Sequence, residues 1–277
     1  MHTFLNAKFV IGAACLAIIF VLAVLGNFIT PHGPLDQDLM NSLQPPRIDA
    51  ARYYLGTDHL GRDILARMVS GARVSLLIAV SIVLISGLFG VLYGAFSGYW
   101  GGIRDVALQK VVETFWAFPP ILLALAILAF FGQSLTNIIL ALSIQRWIPY
   151  SRIARAQALV LRSREFVAAS QVMGGGTMWI VSRHVLPNLV AAAIVIATFS
   201  MATAILAEAS LSFLGLGVPP DIPTWGGMLA EGRSYVVGAW WIAVFPGLGI
   251  FITVLGLNLL GDWLRDLLDP RGALNLR

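Results

Sequence analysis

Uncharged stretches rich in apolar residues cover 9–35, 74–103, 114–145, 184–207 and 234–261. A helix needs about 20 apolar residues to cross the hydrocarbon of a bilayer, at about 1.5 Å of rise per residue. Four of the stretches predict one span each, at about 9–29, 74–98, 188–212 and 240–261. The stretch 114–145 is too long for one comfortable span, and Gly132, Gln133, Ser134 and Asn137 interrupt it with polar and turn-forming residues. It predicts two helices, about 113–131 and 134–151, the second carrying Arg146 toward an aqueous cavity or a protein interface. Pro119-Pro120 is tolerable there if packed neighbours satisfy the freed carbonyls. The first apolar run is longer than the roughly 7–15 residues of a signal-peptide core. No small-x-small site follows Asn27, which predicts an uncleaved anchor.

The expectation is an all-α, polytopic membrane protein with six transmembrane helices. Its units would be 1–72, an anchor plus an outer loop; 73–262, a transmembrane core with a cytoplasmic loop at 152–187; and 263–277, a cytoplasmic tail.

Composition agrees. Of 277 residues, 58% are hydrophobic and 12% charged, about half the charge of a soluble domain. The single cysteine excludes a disulfide scaffold. The net charge of +4 suits basic residues flanking membrane spans, and no basic run with interleaved aromatics suggests nucleic acid. With six spans and both termini inside, eleven basic residues fall on the cytoplasmic side and six outside, which supports that orientation.

The outer loop, 30–73, begins with an extended proline-rich segment. Ile64, Leu65, Met68, Val69 and Ala72 then repeat at helical spacing, with Arg62, Asp63 and Arg67 off that face, predicting an amphipathic helix at the interface. His59 beside Asp58 and Asp63 shows no recognised metal-ligand spacing and reads as loop ordering. In the cytoplasmic segment, Phe166, Ala169 and Met173 fall on one face of a helix that must stop at Gly174-Gly175-Gly176. A second short helix leads through Trp179 to Leu186-Pro187. The hairpin is either an ordinary surface connection or a docking element for a cytoplasmic partner.

Here the residues reach a resemblance. Ala168-Ala169-Ser170, then Gly174 and Leu186-Pro187, resembles the EAA loop of ABC-importer permeases. Arg164-Glu165-Phe166-Val167 with Arg183-His184-Val185-Leu186-Pro187-Asn188 resembles the peptide/nickel branch of that family. Three further strings agree in order: Leu55 to Asp63, Ala207 to Gly217 followed by Pro223-Thr224-Trp225-Gly226, and Asn258 to Asp266. Departures fall in the loop: Ala168 stands where Glu is common, Ser170 where Ala is common, and His184 where Ile is frequent.

The resemblance implies a type I ABC-importer permease fold in a bacterial inner membrane. Partners would be a second homologous permease subunit, two cytoplasmic ATPase subunits and an extracytoplasmic substrate-binding protein. The cargo would be di- or oligopeptides, or else nickel or a metal chelate. The coupling residues would be Glu165, Phe166, Ala169, Met173, Gly174, Leu186 and Pro187. Lys8 precedes Phe9 and Lys110 precedes Val111, so the sequence has no P-loop; ATP and Mg would be used by partner ATPases, and no cofactor, metal or catalytic residue is expected on this chain.

Glu208 lies in the apolar run of the fifth span. A charge at a helix centre costs about 2.5–3.5 kcal/mol on insertion scales, so it must be paired, protonated, near the interface or facing a wet path. It is either a path-lining carboxylate or a structural group bonded to a neighbouring backbone or to an arginine on another helix. The 215–225 loop, stiffened by Pro219, Pro220 and Pro223, either contacts a binding protein or caps the bundle. An ion-coupled secondary transporter using Glu208 and Arg146 is the reading from a different class.

Overall fold

The computed structural model describes residues 7–47 and 53–268. Arg52, Arg271 and Arg277, counted among the flanking charges, and the end of the expected tail lie outside the described residues. The fold is helical throughout. The sole β pairing among the described residues is a bridge between Thr57 and Asp63.

Helix α1 (Ala7–Leu25) lies against α10 (Trp241–Leu268) and the start of α2 (Ile64–Trp100). Gly12 meets the Gly256 carbonyl, and Gly256 in turn faces Cys15 and Leu16, so the two helices cross closely. Lys8 pairs with Asp266 at 2.8 Å, and Phe9 packs on Trp263 with ring centroids 4.6 Å apart. Arg73 of α2 closes the far end of α1 by donating to the Ala23 and Val24 carbonyls.

The separate interfacial helix expected before the second span does not form. Its residues are the first turns of α2, one continuous helix of 37 residues capped by Asp63, which accepts from the Leu65 N–H at 2.9 Å. Arg67 is not solvated either but 1% exposed, because its charge is neutralised by acids from two other segments.

Helix α3 (Gly102–Trp116) and α4 (Pro120–Phe131) are bent by 79° at Pro119-Pro120, where a single 113–131 helix is expected. Gln145 satisfies the break, donating to both the Phe115 and Phe118 carbonyls at 2.8 Å. The polar interruption falls where the sequence puts it. Gly132 has φ of 81°, Ser134 caps the next helix by accepting from Asn137 N–H, and Asn137 Nδ2 donates to the carbonyls of Phe131 and Gly132. That helix, α5 (Leu135–Arg162), does not end near 151 but continues into the segment expected as a loop from 152.

Helix α5 packs along α2 more extensively than any other pair of elements. Gly90, Gly94 and Gly98 of α2 lie against the carbonyls of Trp147, Ser151 and Arg155, so the two backbones touch with no side chain between them. Lipid offers no hydrophobic driving force between helices, so this close van der Waals contact carries the association. Asp105 of α3 adds a paired hydrogen bond to Arg155, both contacts 2.7 Å, with Ser97 of α2 donating to the same carboxylate.

After α5 come α6 (Glu165–Val172) and α7 (Thr177–Ile180), a π turn at Val181–Val185, and α8 (Leu186–Phe213). Residues 177–213 form one helical run. Its ladder widens before Pro187, which has no N–H for the Arg183 carbonyl. A short helix, α9 (Trp225–Gly232), precedes α10.

Four helical runs among the described residues are long and apolar enough to cross a membrane, starting at Ala7, Ile64, Thr177 and Trp241; the bent α3–α4 pair makes five. Helix α5, about 42 Å long, has the length for a sixth crossing although Gln145 and Arg146 lower its apolarity.

Candidate functional site

Residues called from the sequence fall into three places. The first is the hairpin formed by α6 and α7. Helix α6 ends in a Schellman motif: Gly174, at φ of 84°, donates to the Gln171 carbonyl, and Gly175 donates to the Ser170 carbonyl at 2.9 Å. One face of α6 is buried through Val167 and Ser170, against a cluster that includes Ala95, Tyr99, Ala158, Ile180 and Val185. The opposite face presents Phe166, Ala169 and Met173 together with Glu165, and Pro187 is exposed while Leu186 is half-buried. Val172, Met178 and Trp179, not singled out from the sequence as docking residues, widen that apolar face; Val172 is 89% and Met173 78% exposed.

Two of the departures from the family's loop pattern are partners. Ser170 Oγ donates to the Phe166 carbonyl at 2.8 Å and lies 3.1 Å from His184 Nε2. A hydroxyl has one proton, so His184 Nε2 must be the donor of that second bond. The His184 ring also packs on Phe166 and edge-on to Trp179. Gln171 donates to Tyr99 of α2 at 3.0 Å. The hairpin is therefore braced from inside while its outer face stays bare.

The second place is Glu208. It is 2% exposed, and its Oε1 accepts from Ser212 on the same helix and from Thr224, the cap of α9, both at 2.9 Å. Gly226 lies directly against Oε2, where a Cβ would sit 2.7 Å away. The preceding residue, Trp225, is fully buried; its N–H reaches Ser75 Oγ and its indole reaches the Met68 carbonyl, both 3.1 Å and both on α2. The Ala207–Gly217 and Pro223–Gly226 strings thus form one joint, with the carboxylate inside it.

The Leu55–Asp63 string closes the outer side of the same joint. Asp58 Oδ2 accepts from Arg62 Nε and Arg67 Nη1, both at 2.6 Å, and Glu231 of α9 accepts from the same two arginines at 2.7–2.8 Å. Burial pushes the Asp58 carboxyl up, but the Arg67 and Arg62 charges and the Arg62 N–H outweigh it and hold it below its ordinary value. At Asp63 burial outweighs the Leu65 and Ala66 N–H groups and His32, whose Nδ1 lies 3.5 Å away, and raises the carboxyl. Asp58, His59 and Glu231 bring ligand atoms within 4.8 Å of one another. Each carboxylate is already held by two guanidinium groups, so the charge arrangement suits an ion-pair cluster and opposes an added cation.

The third place is a cleft of about 640 Å³ between the α3–α4 elbow, α5 and α8. Arg146 and Gln145 line it with Trp116, Phe118, Leu206 and Ser210. Arg146 is half-buried and donates to Thr203 Oγ1 at 2.7 Å and to the Thr203 carbonyl at 2.9 Å. The structure does not bring Arg146 and Glu208 into contact: they bond to different partners.

Comparison with known proteins agrees with this geometry. The family described as the binding-protein-dependent transport system inner membrane component matches residues 90–273. The N-terminal transmembrane domain of oligopeptide transport permease C matches residues 5–46. The chain is 41% identical to a di/tripeptide transport system permease protein of Pseudomonas aeruginosa, over 98% of this chain and 90% of that one. It is 39% identical to a dipeptide transport system permease protein of Bacillus subtilis, over 94% and 81%. Among solved structures, the MetNI methionine ABC transporter in an inward-facing conformation superposes with a TM-score of 0.52 at 19% identity, over 70% of this chain and 94% of that chain, a likeness of fold.

Proposed function

This chain belongs to the family of binding-protein-dependent transport system inner membrane components, and from that membership we propose that its cargo is a di- or oligopeptide. The identity to peptide permeases along almost the whole chain supports that cargo over a metal chelate. The importer would consist of this subunit, a second homologous permease, two cytoplasmic ATPases that bind ATP and Mg, and an extracytoplasmic binding protein. The chain would sit in a bacterial inner membrane with both termini cytoplasmic.

One observation carries the coupling role. The cytoplasmic hairpin is rigidly backed by Val167, His184 and Tyr99, yet turns Phe166, Val172, Met173, Met178 and Trp179 to the outside. A braced hairpin with an exposed apolar cluster is what a partner groove can grip. Glu165, Ala169, Gly174, Leu186 and Pro187 complete or shape that element. Gly174 has open space beyond its Cα, so a side chain there would be opposed first by the positive φ, and then by a docked partner.

The test is Met173→Asp, alone and with Val172→Asp. Both side chains are exposed, so the chain should insert and purify as before. It should lose most of the co-purifying ATPase, and uptake of a labelled dipeptide with it. Full recovery of the ATPase with the double variant would refute the hairpin as the coupling element.

A further inference from the structure

Arg146 stands in a membrane-crossing region, and no carboxylate forms an ion pair with it among the described residues. Among the described residues its hydrogen bonds run to the hydroxyl and carbonyl of Thr203. A guanidinium has five N–H groups, so Thr203 fixes its position and leaves three donors unspent. A fixed cation with spare donors beside a cleft is an incomplete ion pair, and a carboxylate is the group whose geometry matches it.

The neighbouring Gln145 is spent inside the fold, its amide N–H groups donating to the Phe115 and Phe118 carbonyls, so Arg146 is the polar group left with donors to offer the cleft. Pro149, which also lines the cleft, has no N–H to give the Gln145 carbonyl one turn back. Trp116 and Phe118 supply apolar walls. The volume, about 640 Å³, is within the range of about 300–1,000 Å³ that small-molecule sites occupy.

We propose that this cleft is a cargo-recognition site in which Arg146 binds the carboxylate terminus of the peptide. The assignment rests on the peptide reading above and adds a selectivity to it: the permease itself favours cargo with a free carboxylate. Thr203 is a positioning residue, holding the guanidinium through two of its nitrogens.

The experiment uses the complete transporter in cells, with R146K, R146Q and R146M on the same operon. Uptake is measured for a labelled dipeptide and for its C-terminal amide. R146Q and R146M should lose at least about tenfold of free-dipeptide uptake, the scale of a charge-assisted hydrogen bond, while R146K, which keeps the charge but not the fork that Thr203 positions, should lose less than either. Uptake of the amide, wherever wild type carries it, should change little in all three. R146Q performing as well as R146K, or equal losses for dipeptide and amide, would overturn the proposal. So would failure of the second permease to co-purify with R146Q, because the missing counter-charge would then belong to the subunit interface. A wild-type chain that co-purifies with its ATPase but imports neither compound would instead remove the peptide reading, and this site with it.

Discussion

Both hydroxyls at Glu208 end on the same oxygen, Oε1, and this decides what each substitution does. Glutamine retains an oxygen of equal reach and shape, so Ser212 and Thr224 keep their acceptor. Lysine has no acceptor and orphans two buried hydroxyls, at about 1–3 kcal/mol each, while placing a charge against Gly226. Glu208→Gln should therefore purify at wild-type level, with melting within a few degrees of wild type, and Glu208→Lys should fail to accumulate. Melting of the purified variants in detergent measures this. A glutamine variant as damaged as the lysine one would show that the negative charge itself is needed. The sequence flagged Glu208 by its cost in an apolar run but held nothing to say which partner met it, because Thr224 is brought near by the turn that returns the chain as α9.

Among elements, the legible features were those written in local pattern. The apolar runs located α1, α8 and the start of α10 to within a few residues, and Gly132 to Asn137 placed the α4–α5 turn; α10 runs on past the expected end at 261 to Leu268. Where the pattern misled, a distant residue had compensated a local oddity. Arg67 looks solvent-facing beside Met68 and Val69, but Asp58 and Glu231 neutralise it, and Glu231 is 164 positions away. Pro119-Pro120 breaks a helix that hydropathy draws as continuous, and Gln145 makes that break tolerable. The spacing of Gly90, Gly94 and Gly98 was readable as a helix-packing stripe and is the strongest architectural signal that a search for charge-free runs passes over. Gly94→Leu tests it. Added carbon there strikes the Ser151 carbonyl, which cannot retreat without moving α5, so overpacking should cost at least about 1–3 kcal/mol and lower the yield of folded chain sharply. Gly102→Leu, at a position with nothing within 4 Å but with φ of 57°, is the control for backbone strain alone and should be milder. Equal behaviour of the two would mean that the glycines matter for conformation rather than contact.

For the whole molecule, the expected orientation follows from the eleven-to-six distribution of basic residues, and two exposed side chains offer a direct assay. Met40 is 92% exposed in the segment between α1 and α2, and Ile103 is 86% exposed in the first turn of α3. With Cys15 replaced, Met40→Cys should react with an impermeant thiol reagent on intact cells, and Ile103→Cys should react only after the cells are opened. The reverse pattern would invert the topology and place the apolar hairpin outside, out of reach of any cytoplasmic ATPase.

Helix α2 has a consequence at this scale. It is a single helix of about 55 Å that holds the ionic cluster through Arg67 near one end and receives Gln171 of the hairpin on Tyr99 at the other. Over its second half Gly87, Gly90, Gly94 and Gly98 are seated on α5, which leaves little slack for bending or sliding between the two. Such a beam converts a displacement at one face of the membrane into a displacement at the other. A force applied to the cytoplasmic hairpin would arrive at the Trp225 joint as tilt, with the α2–α5 pair turning as one body. The hinges are then to be sought at its borders, in the α3–α4 elbow and the π turn before Pro187, and not within it.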